Sequence, residues 1–253
     1  MRNYLTAECY KVFHRKYFYL TLLAVLVLEG LLLGAYWLTL NWGNPTVDFA
    51  FAANTLGYML AVGLYAPLLT VDMVFSEQYK NGTLKNEVAY GAPRVRIYLG
   101  KLAVSTLVSL LAAAVMVGFY MGGCWLLFPH NGGDAQAWAL VGYLLAGALP
   151  LWLAGQGVVM VCYFLVRSTT VAAFVSVGIL GLIPPVLQAF GLLVTPAFEM
   201  VRQFMPSVML ENLVSAAAGF QWNYVGLCWA VGLAWLAGAV AVGLLAFRKK
   251  EIK

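Results

Sequence analysis

Charged residues are scarce in this chain of 253 residues, since Asp, Glu, Lys and Arg make up only 10% of it. Soluble domains usually contain about 25% charged and about 45–50% apolar residues, whereas 63% of this chain is hydrophobic. A sequence of this kind cannot hide its apolar surface from water. A soluble enzyme, a secreted disulfide scaffold and a disordered chain are therefore excluded, and the composition predicts an integral membrane protein.

The usual signatures of metal, disulfide and nucleotide sites are also missing. The four cysteines form no C-x-x-C pair and only two histidines accompany them, so neither a zinc site nor a disulfide framework is indicated. No G-x-x-x-x-G-K-[ST] run occurs, and the sequence therefore contains no P-loop to hold nucleotide phosphates. No G-x-S-x-G elbow or acidic dyad indicates catalysis. We therefore expect no catalytic residue, metal or cofactor on this chain.

The sequence contains several long apolar stretches. A helix needs about 20 mostly apolar residues to cross the hydrocarbon core of a membrane. Between these stretches lie short breaks rich in Gly, Pro and Asn, which favour turns. The predicted fold is all-α, a single polytopic transmembrane domain over 1–253. Its six predicted spans are 18–40, 52–75, 102–128, 137–166, 171–194 and 223–247.

Lys and Arg fall almost entirely on one side of a six-span layout. Fourteen of the 15 lie in the N-terminal tail, the 76–101 loop, the 167–170 break or the C-terminal tail, and only Arg202 lies on the other side. Because short loops rich in Lys and Arg stay in the cytoplasm, we predict that both termini are cytoplasmic. The net charge of +5 is then explained by orientation, and no nucleic-acid partner is expected.

Two segments outside the spans also have a distinctive pattern. Residues 2–17 place an apolar stripe around Val12 beside a charged stripe that contains Glu8, which predicts an amphipathic helix (1–17) in the headgroup region. A disordered basic tail is the alternative. Residues 195–222 are too long for a tight turn and mostly apolar, so we predict an extracellular segment that re-enters the bundle between spans five and six.

The longest polar stretch is the predicted cytoplasmic loop 76–101. An Asn81-Gly82 turn signal precedes a helix-compatible run, 83–90, which Gly91 and Pro93 end. A solvated connector and a short docking helix for a soluble partner are both consistent with this pattern.

The order of these features resembles the permease subunits of ABC-2 type transporters. An acidic residue and an N-G-T-L-K run close the second span, a Pro-Arg pair and a Gly-Lys pair lead into the third, and an F-R-K-K-E-I run follows the sixth. The resemblance implies an N-terminal elbow helix, a coupling helix between spans two and three, and a re-entrant hairpin between spans five and six. The residues that carry it in the loop are Glu77, Asn81, Gly82, Thr83, Leu84, Lys85, Pro93, Arg94, Gly100 and Lys101.

The resemblance also implies a function. It predicts a permease subunit in a bacterial plasma membrane that exports a hydrophobic or amphipathic peptide, drug or lipid. Two such subunits, identical or paralogous, would pair, and each would dock on a cytoplasmic P-loop ATPase that holds ATP and Mg. The alternatives are a scaffold or immunity-type binding protein without an ATPase, and an ion-coupled secondary carrier. The expected docking residues are Glu77, Asn81, Gly82, Thr83, Leu84, Lys85, Glu87, Arg94 and Arg96.

Two acidic residues fall inside predicted spans. An ionisable group at membrane depth costs about 2.5–3.5 kcal/mol on insertion scales, so each is a functional hypothesis by default. Glu29, near the middle of span one, would contact a cationic substrate or a coupling proton, or would be protonated and hydrogen-bonded to a neighbouring helix. Asp72, near the cytoplasmic end of span two, is expected to pair with a basic residue of the 76–101 loop.

Overall fold

The computed structural model describes residues 2–43, 46–75 and 83–249, and every regular element in these ranges is helical. Helices suit this composition because they pair their backbone N–H and C=O groups internally, which apolar surroundings require. In chain order the elements are α1 (Arg2–Phe13), α2 (Lys16–Asn41), α3 (Phe49–Tyr65), α4 (Pro67–Phe75), α5 (Thr83–Ala89), α6 (Arg94–Leu127), α7 (Asp134–Leu165), α8 (Thr169–Val177), a π-helix (Gly178–Leu182), α9 (Ile183–Leu193), α10 (Ala197–Gln203), α11 (Pro206–Ala217) and α12 (Trp222–Lys249).

Six of these helical rods are long and apolar enough to cross a membrane. The second is built from α3 and α4, and the fifth from α8, the π-helix and α9. The predicted all-α fold with six spans is therefore confirmed. The six rods are Lys16–Asn41, Phe49–Phe75, Arg94–Leu127, Asp134–Leu165, Thr169–Leu193 and Trp222–Lys249.

Helix α7 lies at the centre of the bundle. Its most apolar stretch is 67% buried, whereas the corresponding stretches of α2, α6 and α12 are only 17% buried. The helices α3, α4, α8, α11 and α12 all pack against it. The outward sides of the surrounding spans are left as apolar surface for lipid or another subunit.

Proline marks the breaks inside two spans. Pro67 begins α4 directly after α3 ends at Tyr65, and Pro184 and Pro185 lie in the first turn of α9, after the π-helix. Because proline has no backbone N–H, it cannot continue the hydrogen-bond ladder of the preceding helix. The fifth span is therefore irregular at its middle, where the π-helix runs from Gly178 to Leu182.

Helix α6 begins at Arg94, about two turns before the predicted start of span three. The predicted loop 76–101 therefore contributes its last eight residues to this helix. As a result, Lys101 lies on a helix that packs against α1.

Helices α10 and α11 fold back along the bundle. The indole N–H of Trp235 donates a hydrogen bond of 2.9 Å to the carbonyl of Phe204. Leu213 packs so closely on Gly147 that a Cβ atom there would lie 2.5 Å from its Cδ1. Trp235 and Gly147 each lie thirteen residues beyond the start of their helix, so this pair of helices contacts the middle of α7 and α12. Its entry into a membrane stays a prediction, which this packing supports.

Candidate coupling site at the basic end of the bundle

The end of the bundle formed by α1, α5 and the first turns of α6 is rich in Lys and Arg and is called the basic end below. Helix α1 lies across α4 and α6 there. Val12 is fully buried in a small apolar cluster with Met73, Val74 and Val104. The apolar stripe predicted around Val12 therefore makes the contact that holds α1 on the bundle.

A Schellman motif ends α5 and directs the chain into α6. Gly91 adopts φ = +82°, a conformation that glycine reaches without steric cost. Its N–H donates to the carbonyl of Val88 at 3.0 Å, and the N–H of Ala92 donates to the carbonyl of Glu87 at 3.1 Å. This sharp turn lets the short α5 fold back beside α6, so that the Glu87 side chain reaches Lys101.

Lys101 is the buried centre of a group of four charges. None of its side chain is exposed, and its Nζ lies 3.3 Å from Glu8 Oε1 of α1 and 3.6 Å from Glu87 Oε1 of α5. Lys11 approaches the same two oxygens at 2.7 and 3.8 Å. Lys11 is exposed, whereas Lys101 and Glu8 are buried. The two positive and two negative charges balance, which the buried pair requires. These four residues, named the Lys101 cluster below, join α1, α5 and α6.

Tyr4 adds a hydrogen bond to the cluster. Its hydroxyl donates to Glu87 Oε2 at 3.1 Å. Burial, together with the charges of Glu8 and Glu87, raises the pKa of Tyr4 far above its usual 10, so the hydroxyl keeps its proton and remains a donor. The ring also packs on α6, where a Cβ on Gly100 would lie 2.5 Å from Tyr4 Cε1. Glycine at this position therefore permits the close approach of α1.

A second set of polar contacts lies farther along the same face of α6. Ser105 and Ser109 follow Lys101 at four-residue steps, so all three lie on one side of the helix. Gln156 of α7 donates to Ser105 Oγ at 2.6 Å and accepts from Ser109 Oγ at 3.0 Å. Ser109 Oγ also lies 2.6 Å from Thr70 Oγ1 of α4. This polar seam links α4, α6 and α7 inside the bundle.

Arg94 connects the start of α6 to the last span by hydrogen bonds. Its Nη1 donates to the carbonyls of Phe247 and Arg248 at 2.8 and 2.6 Å. These carbonyls lie in the last described turn of α12. A cation also interacts favourably with the negative end of a helix dipole. The first turn of α6 and the end of α12 are therefore held together.

Most of the chain, including every residue of the Lys101 cluster, matches a known protein family. A family model described as "ABC-2 family transporter protein" matches residues 4–184. The chain belongs to the ABC-2 transporter family. It is therefore a multi-pass membrane permease, and membership implies partnership with an ABC ATPase. No match was found among curated proteins.

Some of the docking residues expected in this ABC-2 permease are buried or point into the basic end, and others are exposed. Leu84 is only 1% exposed, and Glu87 reaches inward to the Lys101 cluster. Thr83, Lys85 and Arg96 are exposed. Three further members of the set, Glu77, Asn81 and Gly82, lie outside the described residues.

The two acidic residues predicted in the spans occupy different surroundings. Glu29 is 9% exposed, and its Oε2 atom is buried with no hydrogen-bond partner among the described residues. One turn later, Leu33 packs on Gly123 of α6. Asp72 is half-buried in α4, and among the described residues Arg15 is the basic group that acts on it electrostatically. Both roles foreseen for Glu29 stay predictions.

Sequence reasoning did not place Tyr4, Glu8, Lys11 and Lys101 in the candidate site. Glu8 and Lys11 were assigned to the water-facing stripe of an interfacial helix, and Lys101 to a loop. The sequence contains one signal for this contact, which is Lys101 at the start of a long apolar run. A lysine in that position needs a carboxylate partner if its helix packs against another element. The N-terminal segment offers only one carboxylate, Glu8.

Proposed function

We propose that this permease is the membrane-spanning subunit of an ATP-driven exporter, which moves a hydrophobic or amphipathic peptide, drug or lipid out of a bacterial cell. In this proposal the basic end faces the cytoplasm and a separate ATPase subunit, which holds ATP and Mg, docks on α5. A second permease subunit, identical or paralogous, completes the substrate path. In this proposal the nucleotide site belongs to the ATPase subunit.

The Lys101 cluster carries this proposal. A helix of seven residues is not stable alone, because isolated helices shorter than about 12–15 residues are marginal in water. Helix α5 therefore depends on its contacts, and Glu87 pairs with Lys101 of α6 and Lys11 of α1. Separating a buried ion pair costs about 3–5 kcal/mol. A partner that displaces α5 would consequently move α6 and α1 with it.

The outward face of α5 has the properties of a docking surface. The Tyr90 side chain, which directly follows the helix, is 91% exposed. Large aromatic residues of this kind supply much of the binding energy at protein interfaces when a pocket covers them. Lys85 and Arg96 are exposed at the same end of the bundle. The matching surface on the ATPase is therefore an apolar pocket for Tyr90 with acidic residues at its rim.

Purification of the tagged full chain from its native membrane in mild detergent tests this function. Mass spectrometry is expected to find a soluble P-loop ATPase in stoichiometric amount. A Lys85→Glu/Tyr90→Ser variant should retain much less of that ATPase, because it loses the aromatic anchor and places an acid against the acidic rim.

Lys249→Glu provides the matched control, since Lys249 is also exposed at the basic end but lies on α12. This control should retain the ATPase at the level of the unaltered chain. Recovery of the chain as an ATPase-free oligomer, also after crosslinking in cells, would contradict the proposed function.

A further inference from the structure

Helix α11 carries a line of polar side chains along one face. Ser207, Glu211 and Ser215 follow one another at four-residue steps and therefore share one face. Glu211 and Ser215 are exposed, and the Ser207 hydroxyl is buried with no hydrogen-bond partner among the described residues. The opposite face packs against α3 and α7, where Leu213 is fully buried. These three residues are named the polar stripe below.

The polar stripe lies beside the middle of the spans. Leu213 contacts Gly147 of α7, thirteen residues beyond Asp134, where that span begins. At a rise of about 1.5 Å per residue, this contact is about 20 Å along the span. Since the hydrocarbon core is about 30 Å thick, Glu211 lies well inside the depth that lipid tails would occupy.

Two features lie beside the helix that carries Glu211, the Tyr65 hydroxyl and the π-helix. The Tyr65 hydroxyl, at the end of α3, lies 2.9 Å from where a Cβ on Gly181 would be. Gly181 belongs to the π-helix, a local irregularity that frequently occurs at functional sites. Helix α11 contacts this π-helix, and the Glu211 carboxylate acts electrostatically on the Tyr65 hydroxyl.

The charge of Glu211 lacks a close counter-ion. No basic group among the described residues lies within 4 Å of its carboxylate. Arg202, the nearby basic residue of α10, is already engaged by Glu199 through two contacts of its Nε, at 3.0 and 2.9 Å, and one of its Nη2, at 2.7 Å. This pairing lowers the pKa of Glu199, so both groups stay charged and satisfy each other. Helices α10 and α11 together therefore carry one net negative charge, because Glu199 and Glu211 both act on the single Arg202.

We propose that the polar stripe and Tyr65 form a contact site for a cationic amphipathic substrate, whose positive group pairs with Glu211. This inference rests on the proposed export function, because it identifies the charge of the exported molecule. A substrate of this class matches the site, since its apolar part replaces lipid against the spans while its positive group supplies the missing counter-ion.

Two probes of equal shape and opposite charge test the proposal. Tetraphenylphosphonium and tetraphenylborate each hold four phenyl rings on one central atom, so differences in binding report on charge. Equilibrium dialysis would measure both with the full chain in lipid nanodiscs. Glu211→Gln keeps the shape of the side chain and should weaken binding of the cation about tenfold, because it removes the charge that pairs with the cation. Binding of the anion should not weaken.

A charge reversal and a neighbouring substitution complete the experiment. Glu211→Lys should favour the anion over the cation. Asn212→Ala alters the next residue, which faces Tyr224 rather than the stripe, and should bind both probes as the unaltered chain does. Equal cation binding by the unaltered chain and Glu211→Gln would overturn the proposal, as would coverage of the stripe by a second copy that excludes both probes. If the charge-dependent binding is not found but the ATPase still co-purifies with Glu211→Gln, the contact site is refuted and the export function is not.

Discussion

The charge balance of the Lys101 cluster leads to the main prediction. Lys101→Met removes the central charge but keeps most of the side-chain volume, so Glu8 and Glu87 remain with only Lys11 between them. Coulomb's law gives about 5 kcal/mol for two unit charges 3.3 Å apart, the distance of Lys101 Nζ from Glu8, at an effective dielectric constant of about 20. The cost of burying the ammonium group opposes this attraction, but its removal leaves the buried Glu8 carboxylate with only the exposed Lys11 beside it. We therefore expect Lys101→Met to lower the free energy of unfolding by about 3–5 kcal/mol.

Reversible unfolding of the full chain in mixed micelles, followed by tryptophan fluorescence, measures this loss. Lys85→Met is the matched control, because Lys85 is exposed, and should change the free energy of unfolding by no more than about 0.5 kcal/mol. A Glu8→Gln/Lys101→Met double variant restores the balance of one acid and one base and should recover part of the loss. If Lys101→Met destabilised the chain no more than Lys85→Met does, the assignment of a buried, structurally required ion cluster would be refuted.

Three further variants test neighbouring contacts. Tyr4→Phe should cost about 1.5 kcal/mol, the low end for a hydrogen bond to a charged group. Folding raises the pKa of Tyr4 above its usual 10. The difference in free energy of unfolding between the unaltered chain and Tyr4→Phe should therefore be complete below pH 10 and shrink above it, which unfolding at a series of pH values would measure. A difference that does not change with pH would contradict this prediction. Gly100→Ala should displace α1 and speed its limited proteolysis, and a second change, Tyr4→Ala, should restore protection. Gln156→Leu should lower the free energy of unfolding by about 1–2 kcal/mol, because it removes the hydrogen bonds of Gln156 to Ser105 and Ser109. A thermal midpoint equal to that of the unaltered chain would argue against the seam.

The spans could be predicted from the sequence because membrane thickness fixes the length of an apolar helix. The end of α5 was predictable for an equally local reason, since Gly91 and Pro93 terminate a helix wherever they occur in this arrangement. The start of α6 could not be predicted in this way, because Arg94 and Arg96 give its first turns the composition of a loop. Arg94 is nevertheless used inside the protein, where it binds carbonyls of α12.

The candidate site could be predicted only in part, because its contacts join residues distant in the sequence. Periodicity places Glu8 on the polar stripe of α1, which suggests contact with water. The structure instead buries Glu8 against α6, since Lys101 supplies its counter-charge from more than 90 residues away. The direction of Glu87 also depends on this pairing. No local pattern distinguishes it from Lys85, which points outward from the same short helix.

Site-specific photo-crosslinking on α5 tests the central claim most directly. A benzophenone amino acid would replace Tyr90, which is exposed, or Leu84, which is buried on the same stretch of chain. Irradiation of intact cells is expected to link the probe at position 90 to a soluble P-loop ATPase, and the probe at position 84 only to this chain. A probe at position 90 that captures no ATPase, while the chain is present in the membrane and folded, would contradict docking on α5.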